Sequence, residues 1–359
     1  MVATFTSCKF AVKVMISQYL LWPITPSSEV AGSVFLLKKN YIKYLFILFY
    51  FFIGKIRTMI VNFTFIGLMA PVFTIFNPDF SVNTDKIPSY ANYLLDSGIK
   101  GILVGASSGE GTSLSVQERK ILTEAWITAA RNTSQHIMVQ VGGAPFPDVV
   151  DLARHADTLG VDSILTLPEL YFKPRKSQEL ISYLKFISAA APNTPLLYYH
   201  HPSLSGVNID MAEFLNDASH QVPNLKGVKY ASNDLAVAHA ALRAANGKYR
   251  IFIGSDHVIE PAFSVGFDSA IVASSNAFPR YSKEILQAVK DKQLENAIEL
   301  QQNLTKIMTT VTKFGSKVPG MKLAMNLFTP INVGLARPPL QNLNPHRIGE
   351  FRSALEPLL

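Results

Sequence analysis

The chain has one cysteine, Cys8, in 359 residues. No disulfide can therefore close within it, and a reducing compartment such as the cytoplasm is the expected setting. Acidic residues are almost missing from the first 58 positions, where seven basic residues face Glu29 alone. Six of the seven net positive charges thus lie before residue 59, and the rest of the chain carries 26 basic against 25 acidic residues. That balance argues against a basic nucleic-acid face on the remainder. No apolar run reaches the ~20 residues needed to span a bilayer. The longest candidate, "YLFILFYFFI" at 44–53, has ten. Low-complexity tracts are also absent.

Residues 1–58 accordingly read as an N-terminal extension: a disordered, targeting or anchoring segment, or a stretch absent from the mature protein, since Met59 precedes the first credible strand. A mitochondrial or membrane-associated location depends on that segment being kept. Residues 59–359 read as the folded unit, and a 48% hydrophobic content supplies a sizeable core.

From Phe65 onward, short aliphatic runs alternate with segments of helical period. The strand candidates are "FIGLMAPVF", "GILVGA", "IMVQVGG", "SILTLP", "PLLYYHHP", "LKGVKYAS", "YRIFIGSD" and "SAIVASSN". Eight βα repeats predict a TIM (β/α)8 barrel, with residues 281–359 as appended C-terminal helices. The rival, an open doubly wound sheet, usually shows a Gly-rich nucleotide turn after its first strand, and "APVFTIFNPDF" has none.

A barrel places active-site residues where its strands end. The second strand runs into "GASSGEG" (105–111), whose glycines, amides and the hydroxyls of Ser107 and Ser108 suit a carboxylate. The same residues also read as a turn capping a helix near Ser115. The fifth strand ends in Tyr198, Tyr199, His200 and His201, and alternation sends only one tyrosine toward the mouth. The seventh ends in Asp256 and His257. The sixth carries Lys229, three residues after Lys226 and hence on the opposite face, in an apolar setting shared with Gly227 and Leu225. A buried lysine is either ion-paired, here with Asp256 or Glu110, or uncharged and nucleophilic. The residues alone leave both open.

"GASSGE", "YHHP", "GVK", "GSD" and "NAFP", in this order, resemble the class I pyruvate-dependent aldolases grouped with N-acetylneuraminate lyase and dihydrodipicolinate synthase. "GEGTSLSVQERK" and "LLYYHHPSLSGV" look most like the animal N-acetylneuraminate lyases. The resemblance implies a homotetramer needing no metal or organic cofactor. Lys229 then forms a Schiff base with a 2-oxo acid, Tyr199 shuttles protons, and Ser107 positions Tyr199 or the substrate. Substrate contacts fall to Ser107, Ser108, Gly254, Asp256, His257 and Ser274, and the implied reaction is cleavage of sialic acid to N-acetylmannosamine and pyruvate.

Three departures bear on substrate: His257 stands where an acidic residue is usual, and Ala231 and Ala273 where hydroxyls are usual. A dihydrodipicolinate synthase-like enzyme normally has arginine where Leu204 stands. A 4-hydroxy-2-oxoglutarate aldolase-like enzyme also needs a grip on a second carboxylate. A barrel that binds keto acids or sugars without turnover is the non-enzymatic alternative.

Overall fold

The computed structural model describes residues 61–359, so the expected extension at 1–58 lies outside the described residues. The eight aliphatic runs form eight parallel strands: β1 (Leu68–Pro71), β2 (Gly101–Val104), β3 (His136–Gln140), β4 (Ser163–Thr166), β5 (Leu196–His200), β6 (Leu225–Tyr230), β7 (Arg250–Ile253) and β8 (Ala270–Ile271). They pair in chain order, and β8 pairs back onto β1 to close a barrel.

Helices fill the connections. They are α1 (Ile87–Asp96), α2 (Val116–Thr133), α3 (Phe146–Leu159) and α4 (Ser177–Ala190), then the short α5 (Pro202–Ser205) with α6 (Met211–Ala218). After β6 come α7 (Leu235–Gly247), α8 (Ile259–Ser264), the one-turn α9 (Ser274–Ala277) and α10 (Pro279–Lys290). Three more come after it: α11 (Leu294–Lys313), α12 (Lys317–Phe328) and α13 (Ile348–Leu355). By order α10 is the helix paired with β8. The appended part therefore begins at α11, later than residue 281.

Strand alternation builds two cores. Met69, Leu103, Met138, Leu165, Leu197, Tyr199, Phe252 and Ile271 face inward and fill the barrel. Their neighbours Ala70, Ile102, Val139, Ile164, Tyr198 and Val228 face outward, in a layer shared with helix residues such as Leu94, Trp126, Leu184 and Phe214. Phe63 and Phe65, ahead of β1, fill the end where strands begin. Phe65 lies 4.7 Å from the His136 ring and 6.2 Å from that of Phe252. Only a glycine at 101 leaves room there, because a Cβ would sit 2.5 Å from Phe65. With one end plugged by side chains, a ligand has the other.

One irregularity sets the phase of the strand that matters most. Leu196 pairs with Leu225 but Leu197 pairs with Gly227, so Lys226 is an extra residue in β6, a β-bulge. Leu225 consequently packs in the outer layer, off the face of Lys229 expected from simple alternation. Lys226 stays half-buried and donates to the carbonyl of Pro223 at 3.1 Å.

Candidate active site

Lys229 is the penultimate residue of β6, level with Tyr199 on β5 and Phe252 on β7. It is 3% exposed, with Nζ 4.1 Å from the centre of the Tyr199 ring. Gly227 precedes it on the same face, where a Cβ would come within 2.1 Å of the Arg250 carbonyl. A glycine there lets β6 and β7 close tightly beside the lysine.

Both carboxylates singled out as counter-ions for Lys229 are held by other lysines. Glu110 Oε1 accepts from Lys322 Nζ at 3.0 Å in a pair with only 1% of either side chain exposed, and its Oε2 accepts the amide of Arg337 at 2.7 Å. Asp256 Oδ2 accepts from Lys317 Nζ at 2.6 Å, and Oδ1 accepts the Ser274 amide at 2.9 Å. Burial opposes the charge on Asp256, but the Lys317 ammonium and the Ser274 amide outweigh it and hold the carboxyl below its ordinary range. Among the described residues Lys229 makes no ion pair. Burial, reinforced by Lys317 and only partly opposed by Asp256, pushes its amine down to about 7. Of the two readings the sequence left open, the ion pair is not formed, and burial eases loss of the proton from the amine.

The serine loop is free for chemistry because α2 has its own cap. Ser115 accepts from the Glu118 amide at 3.1 Å while Glu118 accepts from the Ser115 amide at 2.8 Å, a complete capping box. Ser107 instead hydrogen-bonds Tyr199 Oη at 3.2 Å. Ser108 is half-buried. The loop folds back so closely that a Cβ on Gly111 would collide with the Gly105 carbonyl at 1.7 Å. Glu110 sits in left-handed geometry, φ 55°, at a cost of about 1–2 kcal/mol that its two hydrogen-bonded oxygens offset.

The two tyrosines part as alternation requires: Tyr198 packs outward on Phe214 and Tyr199 faces the lysine. Burial raises the Tyr199 phenol above its ordinary value, partly opposed by Ser107 and Lys317, so it rests protonated. His201, with its ring 5.6 Å from that of Tyr199, is pushed down to about 4 by burial, Lys229 and Lys317 and rests neutral. His200 is buried and stacks on Tyr230.

Ser107, Tyr199 and Lys229 thus converge on one point, with Ser108 beside Ser107 in the same loop. Of the other residues singled out, Gly254 is half-buried and His257 exposed in the loop after β7. Asp256 and Ser274 have no exposed surface, and Asp256 is occupied by Lys317. The Ser274 hydroxyl is buried without a partner. Among the described residues, no group of three or more His, Cys, Asp or Glu is arranged to hold a metal, and no helix is long and apolar enough to cross a membrane.

Three residues escaped the sequence reading: Lys317, Lys322 and Arg337. Lys322 had a signal, since it interrupts the apolar run "MKLAM" much as Lys229 interrupts its strand. Lys317 had none, because its partner lies 61 positions earlier. Arg337 pairs with Glu118 and donates to the carbonyls of Ser113 and Phe80, tying the C-terminal segment to the serine loop.

Known proteins are similar to this chain along most of its length. An N-acetylneuraminate lyase from Gallus gallus is 30% identical over 295 residues, 82% of this chain and 96% of that one. The solved structure of an N-acetylneuraminate lyase from Aliivibrio salmonicida superposes with a TM-score of 0.79 at 33% identity, covering 83% of this chain and 98% of that one. One from Proteus mirabilis gives 0.79 at 30% identity, covering 82% and 99%. Residues 64–357, which hold the whole barrel, the buried Lys229 and the helices that anchor its neighbours, match the dihydrodipicolinate synthetase family, and the chain belongs to it.

Proposed function

We propose that this protein is a class I aldolase, a carbon–carbon lyase that cleaves N-acetylneuraminate to N-acetylmannosamine and pyruvate through a Schiff base on Lys229. The observation that carries the reading is that Lys229 is buried, unpaired and close to losing its proton at neutral pH, while Asp256 and Glu110 are bound elsewhere. The lyases of Gallus gallus and Aliivibrio salmonicida support the choice of substrate.

Each step has a residue suited to it. Ser107, Ser108 and the loop amides receive the substrate carboxylate. The Lys229 amine attacks the 2-oxo carbon of the opened sugar acid. Tyr199, protonated at rest, gives its proton to the departing hydroxyl, so water leaves and an iminium forms. The resulting phenolate is stabilised by the iminium charge, because the nitrogen lies over its ring. Phenolate then takes the C4 hydroxyl proton as the C3–C4 bond breaks, and the bonding electrons pass into the iminium to give an enamine. Protonation at C3 and hydrolysis release pyruvate and restore the amine.

The assay is release of N-acetylmannosamine from N-acetylneuraminate by the full chain. Equimolar N-acetylmannosamine and pyruvate are expected. Capture of pyruvate without cleavage of N-acetylneuraminate would move the assignment to another 2-oxo acid, a result that His257 and Ala273 would then explain. We extend the proposal to a homotetramer acting in the cytoplasm. Exposed Tyr171, Phe172 and Phe186 support burial against further copies, and sedimentation velocity separates tetramer from monomer.

A further inference from the structure

A Schiff-base enzyme, the reading on which this inference rests, requires an amine without a proton in a site that also holds a buried carboxylate. Among the described residues, the carboxylate of Asp256 opposes the deprotonation of Lys229. With no other cation on Asp256, its charge would favour the protonated form of Lys229. What separates them comes from outside the barrel. The turn after α11 starts α12 at Lys317, whose ammonium reaches back to Asp256 Oδ2 at 2.6 Å. Its side chain is 43% exposed while that of Asp256 is not exposed at all, so the lysine covers the carboxylate from the solvent side.

The other groups around Lys229 add no charge at neutral pH. From β5 come Tyr199, a protonated phenol, and His201, a neutral imidazole. From the loop after β7 comes Asp256, and from α12 comes Lys317. The charge balance at the amine is therefore decided by the last two. We propose that Lys317 is a positioning residue of the active site: by holding Asp256 in an ion pair it denies Lys229 a counter-ion and sets a second positive charge beside it, so that the amine is ready to attack. A lysine near another cation is a recognised way to free a nucleophilic amine. Here the second cation also removes the competing anion.

The rest of α12 is built to hold that position. Lys322, five residues on, is buried and bonded to Glu110 and to the carbonyls of Thr74 and Leu335. Gln301 of α11 donates to the Asp256 carbonyl at 3.0 Å. Both ends of the Lys317–Asp256 contact are thus pinned by independent bonds.

The test is the pH dependence of adduct formation, read as the rate of borohydride-trapped pyruvate on the full chain between pH 5 and 10. The wild-type rate should rise with an acid limb near pH 7. Lys317→Met should move that limb upward by about one unit or more, which lowers capture at pH 6 by about tenfold or more and leaves it largely recovered at pH 9.5. Lys317→Arg, which keeps charge and ion pair, should hold the limb near its wild-type place. Asp256→Asn should lower the limb, and adding Lys317→Met to it should raise it again. That last comparison decides the matter if Lys317→Met alone does not fold. An unmoved limb in Lys317→Met, or loss of capture by the same factor at every pH, overturns the inference. Absence of any adduct in the wild type overturns instead the Schiff-base reading beneath it.

Discussion

Lys229 is a buried amine whose charge answers to Lys317 and Asp256, residues distant from it in the chain. A lysine in an apolar strand announces itself from the pattern alone, but whether it is paired or free depends on residues far away in the chain. Glu110 and Asp256 were both visible as possible partners. Their actual partners, Lys322 and Lys317, lie 212 and 61 positions away, beyond the reach of any local period.

The buried amine also makes a stability prediction. Its folded value of about 7 lies below the ordinary lysine value of 10.5, so between those pH values the unfolded chain binds the proton and the folded chain does not. Stability therefore rises with pH across that window, and the penalty is fullest below pH 7. Lys229→Met should raise the melting temperature, by on the order of a few kcal/mol in equivalent stability near pH 6, with the gain shrinking toward pH 10. Thermal melts of both proteins across that range check it, and a gain independent of pH would contradict it. Tyr199→Phe separates capture from turnover. Pyruvate should still be trapped, while steady-state cleavage falls by about 10²–10⁴, the usual contribution of a positioned acid or base.

Elements, more than residues, were legible. Seven strands fall inside runs read from the sequence and β3 begins one residue before its run, at His136, because short aliphatic stretches bounded by polar turns have few other uses. The bulge at Lys226 was not readable. It depends on how β5 and β6 register against each other, and it moved Leu225 to the other face. Nor was the reach of α12. Its amphipathic pattern suggested an appendage, yet it supplies the counter-ions for two carboxylates at the catalytic end of the barrel. The buried pair it makes with Glu110 should be costly to break. Glu110→Gln strands an ammonium that is 1% exposed and should lower stability by about 3–5 kcal/mol, with loss of pyruvate capture if the Ser107 loop moves. Denaturant unfolding measures the first effect and adduct yield the second. A near-neutral result would mean that the Glu110–Lys322 bond does not hold the loop.

For the whole molecule, topology turns scattered residues into a site. Ser107, Tyr199 and Lys229 come from the ends of β2, β5 and β6, and barrel closure brings the three strand ends to one rim. Phe63 and Phe65 fill the opposite end, among the beginnings of the strands. Family membership covers residues 64–357 and accounts for the architecture. We propose that the departures at Ala231, Ala273 and His257, together with the Lys317–Asp256 pair, set this chain's own substrate preference and operating pH.

The whole mechanism depends on one uncharged nitrogen reacting with a ketone. Treating the full chain with pyruvate and sodium borohydride at pH 7.5 (about half a unit above the amine's value of about 7), then mapping peptides by mass spectrometry, tests it in a single step. One reduced pyruvyl adduct is expected, on Lys229 and absent from Lys229→Met. An unmodified Lys229, or an adduct carried by Lys317 instead, would contradict it.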